Sequence, residues 1–186
     1  MRLSKLNYYA DFVVYPSLIL FLSARMLYVL ALPERLEWFL ALAAGAAGWT
    51  LLEYVLHRAI LHRVRFFDRM HDVHHENPNS LVGTPTWLTA PLGALALMPL
   101  WVFSELSLAS GLTAGLMVGY LSYVALHHAL HHHRIGHDSF FYQAKLRHVR
   151  HHHGRGHCNF GVTTVFWDRV FGSAARARDE SRPAAQ

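Results

Sequence analysis

The chain alternates between long apolar segments and short polar ones. The apolar segments cover residues 12–32, 38–52, 87–103 and 106–126. A helix rises about 1.5 Å per residue, so segments of this kind are typical of helices that cross a bilayer core of about 30 Å. The second and fourth segments continue without a helix breaker into histidine-containing sequence. The pattern predicts an all-α membrane bundle of four spanning helices in two hairpins, with histidines on a helical cap beyond the bilayer.

The first apolar segment has an alternative interpretation as a cleaved signal peptide. A signal peptide has a shorter apolar region that ends in small residues. Here the apolar run is longer and meets Pro33, Glu34 and Arg35 instead. We therefore expect a retained membrane anchor.

Charged residues are unevenly distributed between the two ends of the predicted bundle. The short connections between spans lean acidic, with Glu34, Glu37 and Glu105. Nearly all Lys and Arg lie in the N-terminal segment, in residues 58–69 and in the C-terminal part. Because cytoplasmic loops carry the excess of Lys and Arg, both termini and every histidine are expected on the cytoplasmic side. The expected location is a bacterial cytoplasmic membrane.

Composition agrees with a membrane protein and excludes several other classes. Hydrophobic residues make up 53% of the chain and charged residues 16%, whereas about a quarter of an ordinary soluble domain is charged. The net charge of +5 does not indicate nucleic-acid binding, because the basic residues flank apolar segments. One cysteine, Cys158, excludes a disulfide framework and a cysteine-ligated metal site. We expect one domain over residues 1–172 and a flexible tail over 173–186.

The sixteen histidines fall in two stretches, five within residues 57–75 and eleven within residues 127–157. Residues three and four apart share one face of a helix. Two H-x2-H-H motifs have this spacing: His71, His74 and His75; His148, His151 and His152. His127 and His131 form an H-x3-H pair, and His128 and His132 form a second one, displaced by one residue round the helix. His57 and His62 are five apart, about 140° round an ideal helix, and should not bind one ion side by side. They either serve two neighbouring ions or lie on a distorted helix.

Repeated spacing on several helix ends indicates a metal centre. Neutral imidazole is a common ligand for iron, zinc and copper. A histidine-rich tract can also bind metal loosely, but such a tract needs no repeated spacing. Ten candidate ligands exceed the three or four of a single zinc site, so two metal ions are favoured. The nitrogen-only set also differs from the Glu-x-x-His motifs of soluble di-iron bundles.

The order of these motifs is similar to that of a known family. The histidine motifs are followed by Asn159-Phe160-Gly161 and by F-W-D-R-V-F-G at 166–172. This arrangement of motifs resembles that of the fatty acid hydroxylase superfamily of integral-membrane di-iron enzymes. That superfamily includes sterol desaturases, sterol C4-methyl oxidases and fatty acid 2-hydroxylases, and the similarity covers about residues 51–172. It implies two metal ions in a cytosolic histidine cap over a lipid-fed cavity. The ligands that it implies are His57, His62, His71, His74, His75, His127, His131, His148, His151 and His152.

The resemblance leaves the other histidines outside the ligand set: His128, His132, His133, His137, His153 and His157. Some relatives have an acidic residue just before the H-x3-H pair, where this chain has Val124 and Ala125. Metal-bound histidines need partners for their second ring nitrogen. Candidates near in sequence are Asp72, Glu76, Asp138, Asn159 and Asp168, of which Asn159 and Asp168 are favoured by the resemblance. Helix capping or pairing with arginine is the alternative role for each.

The implied chemistry is oxidation of a lipid chain. Attack on an unactivated C–H bond needs a redox-active metal and O2, which zinc and protein side chains cannot replace. The resemblance implies an O2-dependent di-iron oxidoreductase that hydroxylates, or alternatively desaturates, a fatty acyl, sterol or isoprenoid chain. We expect a separate electron-donor protein, because no haem, flavin or electron-transfer domain fits within 186 residues.

Two rival functions remain at this point. A carotenoid hydroxylase would carry similar histidine motifs, but the Asn-Phe-Gly and Trp-Asp sequences argue against it. A metal-binding or metal-transport membrane protein should have acidic residues or histidines within its spans. Residues 88–103 and 106–126 contain neither.

Overall fold

The computed structural model describes residues 2–153 and 158–175. These residues form α1 (Lys5–Tyr9), α2 (Asp11–Val29), α3 (Leu32–Val55), a π-helix (Leu56–Leu61), α4 (Arg65–Glu76), α5 (Thr86–Phe103), α6 (Leu106–His132), α7 (Tyr142–His153) and α8 (Phe166–Val170). Arg2 and Val82 form an isolated antiparallel bridge that ties the N-terminal segment to the connection before α5.

Four helical segments are long and apolar enough to cross a membrane. They are Lys5–Val29, Leu32–Leu61, Thr86–Phe103 and Leu106–His132. Each contains most of one predicted apolar segment, so the predicted all-α fold with four spanning helices is confirmed. The side of the membrane on which the histidines lie stays a prediction.

The two central spans, α3 and α6, pack with their backbones in close contact. A Cβ added to Gly115 would lie 2.1 Å from the carbonyl oxygen of Leu42 and 2.8 Å from the backbone nitrogen of Ala46. Lipid offers no hydrophobic driving force between helices, so small residues that permit close packing supply much of the attraction. This contact fixes the two helices whose ends carry His57 and His127.

We expect the substitution Gly115→Ala to destabilise the bundle, because its methyl group would push α3 and α6 apart. Overpacking of a close contact costs about 1–3 kcal/mol. Gly48→Ala is the matched control, since a Cβ there meets nothing within 4 Å. Thermal unfolding in one detergent should show a lower transition temperature for Gly115→Ala only. Equal transition temperatures for the two variants would contradict the close contact.

The third span, α5, is the least buried of the four. Hydrogen bonds attach its two ends, from Thr86 to Asp11 on α2 and from Trp101 to Thr113 on α6. Thr86 is its one buried residue, and apolar side chains such as Phe103 are largely exposed. Between its two attached ends, α5 forms one wall of an internal cavity.

A cap covers the ends of α3 and α6 and consists of α4, α7, α8 and residues 158–165. The chain after α8 returns to this cap. Ser173 is buried, its carbonyl accepts a hydrogen bond from the Asn159 backbone N–H, and the N–H of Ala175 donates to the Asn159 side chain. Residues 176–186 lie outside the described residues, so the domain boundary and the flexible tail stay predictions.

Candidate metal centre

The ten predicted histidines come together as two groups of five. Group A contains His57, His62, His71, His75 and His151, and group B contains His74, His127, His131, His148 and His152. Within each group the candidate ligand atoms all lie within 4.8 Å of one another. The structure thus brings together the ten residues that the resemblance implied, while their role as ligands stays a prediction.

The two H-x2-H-H motifs are shared between the groups. On α4, His71 and His75 point to group A and the residue between them, His74, to group B. On α7 the assignment is reversed, because His148 and His152 belong to group B and His151 to group A. Residues four apart lie on one helix face, and the intervening histidine lies on the adjacent face. The groups are therefore neighbours, with the rings of His75 and His152 stacked 4.4 Å apart.

The π-helix explains how His57 and His62, which are five residues apart, can point to the same group. A π-helix bonds residue i to i+5 and therefore brings residues five apart onto one face. The rings of His57 and His62 are nearly parallel, 24° apart, with centroids separated by 5.1 Å. Of the two alternatives, the distorted helix is the one observed, and both histidines belong to group A.

The ring nitrogens are spaced as ligands of a metal ion would be. In group A the Nε2 atom of His71 lies 3.0 Å from that of His57 and 3.1 Å from that of His75. In group B the Nε2 atom of His148 lies 2.7 Å from that of His131 and 3.1 Å from that of His152. Metal–nitrogen bonds of about 2.0–2.1 Å at right angles would place two nitrogens about 3 Å apart.

His74 gives a second indication that a metal ion fits among these histidines. Among the described residues, neither of its two buried ring nitrogens has a hydrogen-bond partner. Buried polar atoms are nearly always partnered, so an unpartnered imidazole facing four others calls for an ion. Each nitrogen-only set suits a first-row transition metal such as iron, zinc or copper.

Burial keeps the cap histidines in the uncharged form that binds metal. Desolvation is the main cause that lowers the pKa of His74 and of His151 to about 3, and that of His152 to about 2. Neighbouring histidines lower these pKa values further. Burial also lowers the pKa of His71, His75 and His148. At neutral pH these rings are free of the proton that would compete with a metal ion.

Two backbone carbonyls orient histidines of group A. The Nδ1–H of His57 donates to the carbonyl of Phe160 at 2.6 Å, and the Nδ1–H of His151 donates to that of Cys158 at 2.8 Å. A hydrogen bond at Nδ1 fixes the tautomer and leaves Nε2 free to bind an ion. In group B, by contrast, the Nδ1 atoms of His148 and His152 are buried without a hydrogen-bond partner among the described residues.

Asp168 holds the loop that carries these carbonyls. Its side chain is fully buried, and its two oxygens accept the backbone N–H groups of Phe160 and Gly161, each at 2.8 Å. Gly161 is required there, because a Cβ would lie 2.1 Å from the carbonyl oxygen of Thr164. Asp168 therefore acts on His57 through the loop and not by direct contact.

Asn159 supports the same loop from the other side. It has a left-handed backbone conformation with φ of 54°, which asparagine tolerates better than most residues. Its side chain donates to the carbonyl of Arg147 at 3.2 Å and accepts the N–H of Ala175 at 2.8 Å. The other candidate partners, Asp72, Glu76 and Asp138, have exposed side chains.

Glu53 is a further residue of the site, and it was not predicted from the sequence. This buried carboxylate accepts the next two N–H groups of the loop, those of Val162 at 2.5 Å and Thr163 at 3.0 Å, and the Thr163 hydroxyl at 2.5 Å. Asp168 and Glu53 thus bind four consecutive N–H groups, from residue 160 to residue 163. Its position in the sequence could have indicated a functional role, because Glu53 is a lone carboxylate at the end of an apolar span, four residues before His57.

The histidines excluded from the ligand set lie outside both groups where they are described. His128 and His132 stack on each other, and the hydroxyl of Tyr8 lies 2.9 Å from Nδ1 of His128. His137 packs against Tyr142, and His133 and His153 are exposed. His157 lies outside the described residues.

A cavity of about 1140 Å³ leads away from both groups. Its walls include His57 and His71 of group A and His74 and His127 of group B, and it extends along α5 to Trp101. Apolar side chains form most of its lining, among them Val124, at the position where some relatives have an acidic residue. Such a cavity suits an apolar ligand that approaches both groups of histidines.

The comparisons with known proteins agree with this geometry. The fatty acid hydroxylase family matches residues 42–173. Dihydroceramide fatty acyl 2-hydroxylase FAH2 of Arabidopsis thaliana is 32% identical over 148 residues, which cover 72% of this chain and 60% of that protein. Ceramide very long chain fatty acid hydroxylase SCS7 of Saccharomyces cerevisiae is 36% identical over 148 residues, covering 69% of this chain and 36% of that protein.

A solved structure has the same fold. It is that of full-length scs7p, in which only the hydroxylase domain is visible, and its TM-score is 0.78 at 25% identity over 91% of this chain and 67% of that chain. The chain spans less than two thirds of the length of the two curated relatives described above. From the family match, the shared fold and the paired histidine groups, we conclude that the chain belongs to the fatty acid hydroxylase family.

Proposed function

We propose that this chain is a membrane oxidoreductase that uses O2 and two iron ions to hydroxylate a lipid chain. One observation carries the proposal: group A and group B reach the same apolar cavity, through His57 and His71 and through His74 and His127. A substrate in that cavity would meet both ions at once. The proposed ligands are the five histidines of each group, with Asp168 and Asn159 as supports of the loop that orients His57 and His151.

Bound iron would supply the activation of O2 and the oxidising power that a C–H bond requires. The contribution of this chain is to hold the ions, exclude water and position the substrate. Hydrogen bonds from His57 and His151 to loop carbonyls keep their Nε2 atoms aimed at one point. The apolar walls of the cavity fix an alkyl chain by contact and keep water away from the reacting carbon.

The substrate that we propose is a fatty acyl chain of a membrane lipid. Leu92 and Met98 of α5 line the cavity and are half or more exposed, and Thr86 is the one buried residue of this helix. An acyl chain can therefore enter sideways from the bilayer between α5 and its neighbours. Several relatives are named for fatty acyl or ceramide hydroxylation, which supports the same substrate class.

We further propose that electrons come from a separate donor protein on the cytoplasmic side. The distribution of Lys and Arg favours this orientation of the cap by the positive-inside rule. The bacterial cytoplasmic membrane stays a prediction.

Mass spectrometry of host lipids tests the proposed function. A host that expresses the wild-type chain should contain lipids heavier by one oxygen atom, and a host that expresses His148→Ala should not. Desaturation would instead appear as a loss of two hydrogen atoms. Identical lipid profiles for the two hosts, with both proteins present in the membrane and an electron donor supplied, would contradict the proposal.

A further inference from the structure

A carboxylate on a candidate spanning helix lies in the lining of the cavity. Asp11 is in the first turn of α2, within the span Lys5–Val29, and its side chain is only 6% exposed while it lines the cavity. The hydroxyl of Thr86 donates to Oδ1 and that of Tyr120 to Oδ2, each at 2.6 Å. Asp11 precedes residues 42–173, the part that matches the family, so membership of the family assigns it no role.

A link between helices does not by itself explain a charged group at this place. The two donors are neutral hydroxyls, and no ion pair involving Asp11 occurs within residues 2–153 and 158–175. A neutral acceptor would join α2 to α5 and α6 equally well, whereas an ionisable group in a membrane span is costly and usually functional. Each carboxylate oxygen has about two lone-pair positions, so each can accept one more hydrogen bond.

The position of Asp11 suits an anchor for part of a lipid. Tyr120 precedes His127 by seven residues of α6, which is about 10 Å along the helix. In the other direction the cavity continues along the apolar face of α5 to Trp101. A lipid held at Asp11 can therefore extend one part towards the histidines and another part along α5.

We propose that Asp11 binds the polar part of an uncharged lipid, one that offers a hydroxyl or an amide N–H as donor. A donor from such a lipid would complete the hydrogen bonding of the carboxylate inside the cavity. A free fatty acid is disfavoured, because its carboxylate would meet that of Asp11 without a cation between them. The inference rests on the proposed function and assigns Asp11 as the residue that holds the polar part of the lipid.

Equilibrium binding of four lipids of one chain length tests this inference: a fatty alcohol, a fatty amide, a fatty acid methyl ester and a free fatty acid. Metal-loaded protein without reductant keeps the lipids unreacted. The alcohol and the amide should bind the wild type about tenfold more tightly than the ester, which lacks a donor, and than the acid. In Asp11→Asn this advantage should fall to about twofold or less, and the free fatty acid should bind more tightly than it binds to the wild type.

Glu37→Gln is the matched control. Glu37 also accepts a hydroxyl from another helix, that of Ser107 at 2.7 Å, and lies outside the cavity lining. The Glu37→Gln variant should keep the wild-type order of affinities for the four lipids. Equal binding of the four lipids to the wild type would overturn the inference, and this result does not depend on whether Asp11→Asn folds. Metal content and lipid oxidation, measured on the same wild-type protein, decide separately whether the proposed function stands.

Discussion

Replacing His148 by alanine is expected to remove about one metal ion per chain while the protein stays in the membrane. His148 is 4% exposed, and its Nε2 atom has two others of group B within 3.1 Å. Its loss deletes one of five converging nitrogens and leaves an empty space within the group. Loss of a residue that hydrogen-bonds to a metal ligand already lowers metal affinity about 10- to 100-fold, and loss of the ligand itself should lower it more.

Metal analysis after dialysis against a competing chelator measures this effect. The wild type should retain two ions per chain and His148→Ala about one, because group A is intact in the variant. His128→Ala is the control, since His128 follows His127 on α6 but lies outside both groups. If His148→Ala keeps two ions under these conditions, the assignment of this histidine as a ligand is wrong.

The second large effect is expected from Asp168→Asn, which changes a single atom of a fully buried side chain. Both oxygens of Asp168 accept backbone N–H groups of the loop. The amide nitrogen of asparagine would therefore face an N–H donor in either orientation, leaving a buried donor unpaired at a cost of about 1–3 kcal/mol. The loop would shift, and the Phe160 carbonyl would no longer hold His57.

Metal affinity of group A should fall about 10- to 100-fold in Asp168→Asn, while group B retains its ion. Competition with a graded series of chelators separates the two groups. Asp72→Asn makes the same chemical change on an exposed side chain and should have no effect. Glu53→Gln should be much milder than Asp168→Asn, because one oxygen of Glu53 accepts both N–H groups and the other meets only the hydroxyl of Thr163. Equal losses in the three variants would contradict this account of the loop.

Hydropathy predicted the spanning helices, and histidine spacing predicted most of the histidines that come together. A spanning helix must satisfy its own backbone and present apolar side chains to lipid, so its signal lies in one continuous segment. The H-x3-H and H-x2-H-H motifs likewise depend on helix geometry, which is local. For these reasons the four spans and eight of the ten histidines could be anticipated from local spacing. The resemblance to the family added His57 and His62 and excluded the equally spaced pair His128 and His132.

The remaining features depend on contacts between distant residues. The π-helix at Leu56–Leu61 was not predicted outright, because hydropathy does not distinguish i+4 from i+5 hydrogen bonding. The division of His71, His74 and His75 between two groups follows from how α4 and α7 face each other. The role of Glu53 requires a partner loop more than a hundred residues later in the chain.

The sparse packing of α5 has a consequence for work with the purified protein. Because α5 is sparsely packed and its cavity-lining residues Leu92 and Met98 are half or more exposed, we expect the molecules that surround the protein to contact the cavity there. In a detergent micelle, alkyl tails replace the bilayer at this position and compete with the substrate for the cavity. The apparent affinity for a lipid should therefore depend on the tail length of the detergent, and nanodiscs of defined lipid composition are the appropriate medium for measuring it.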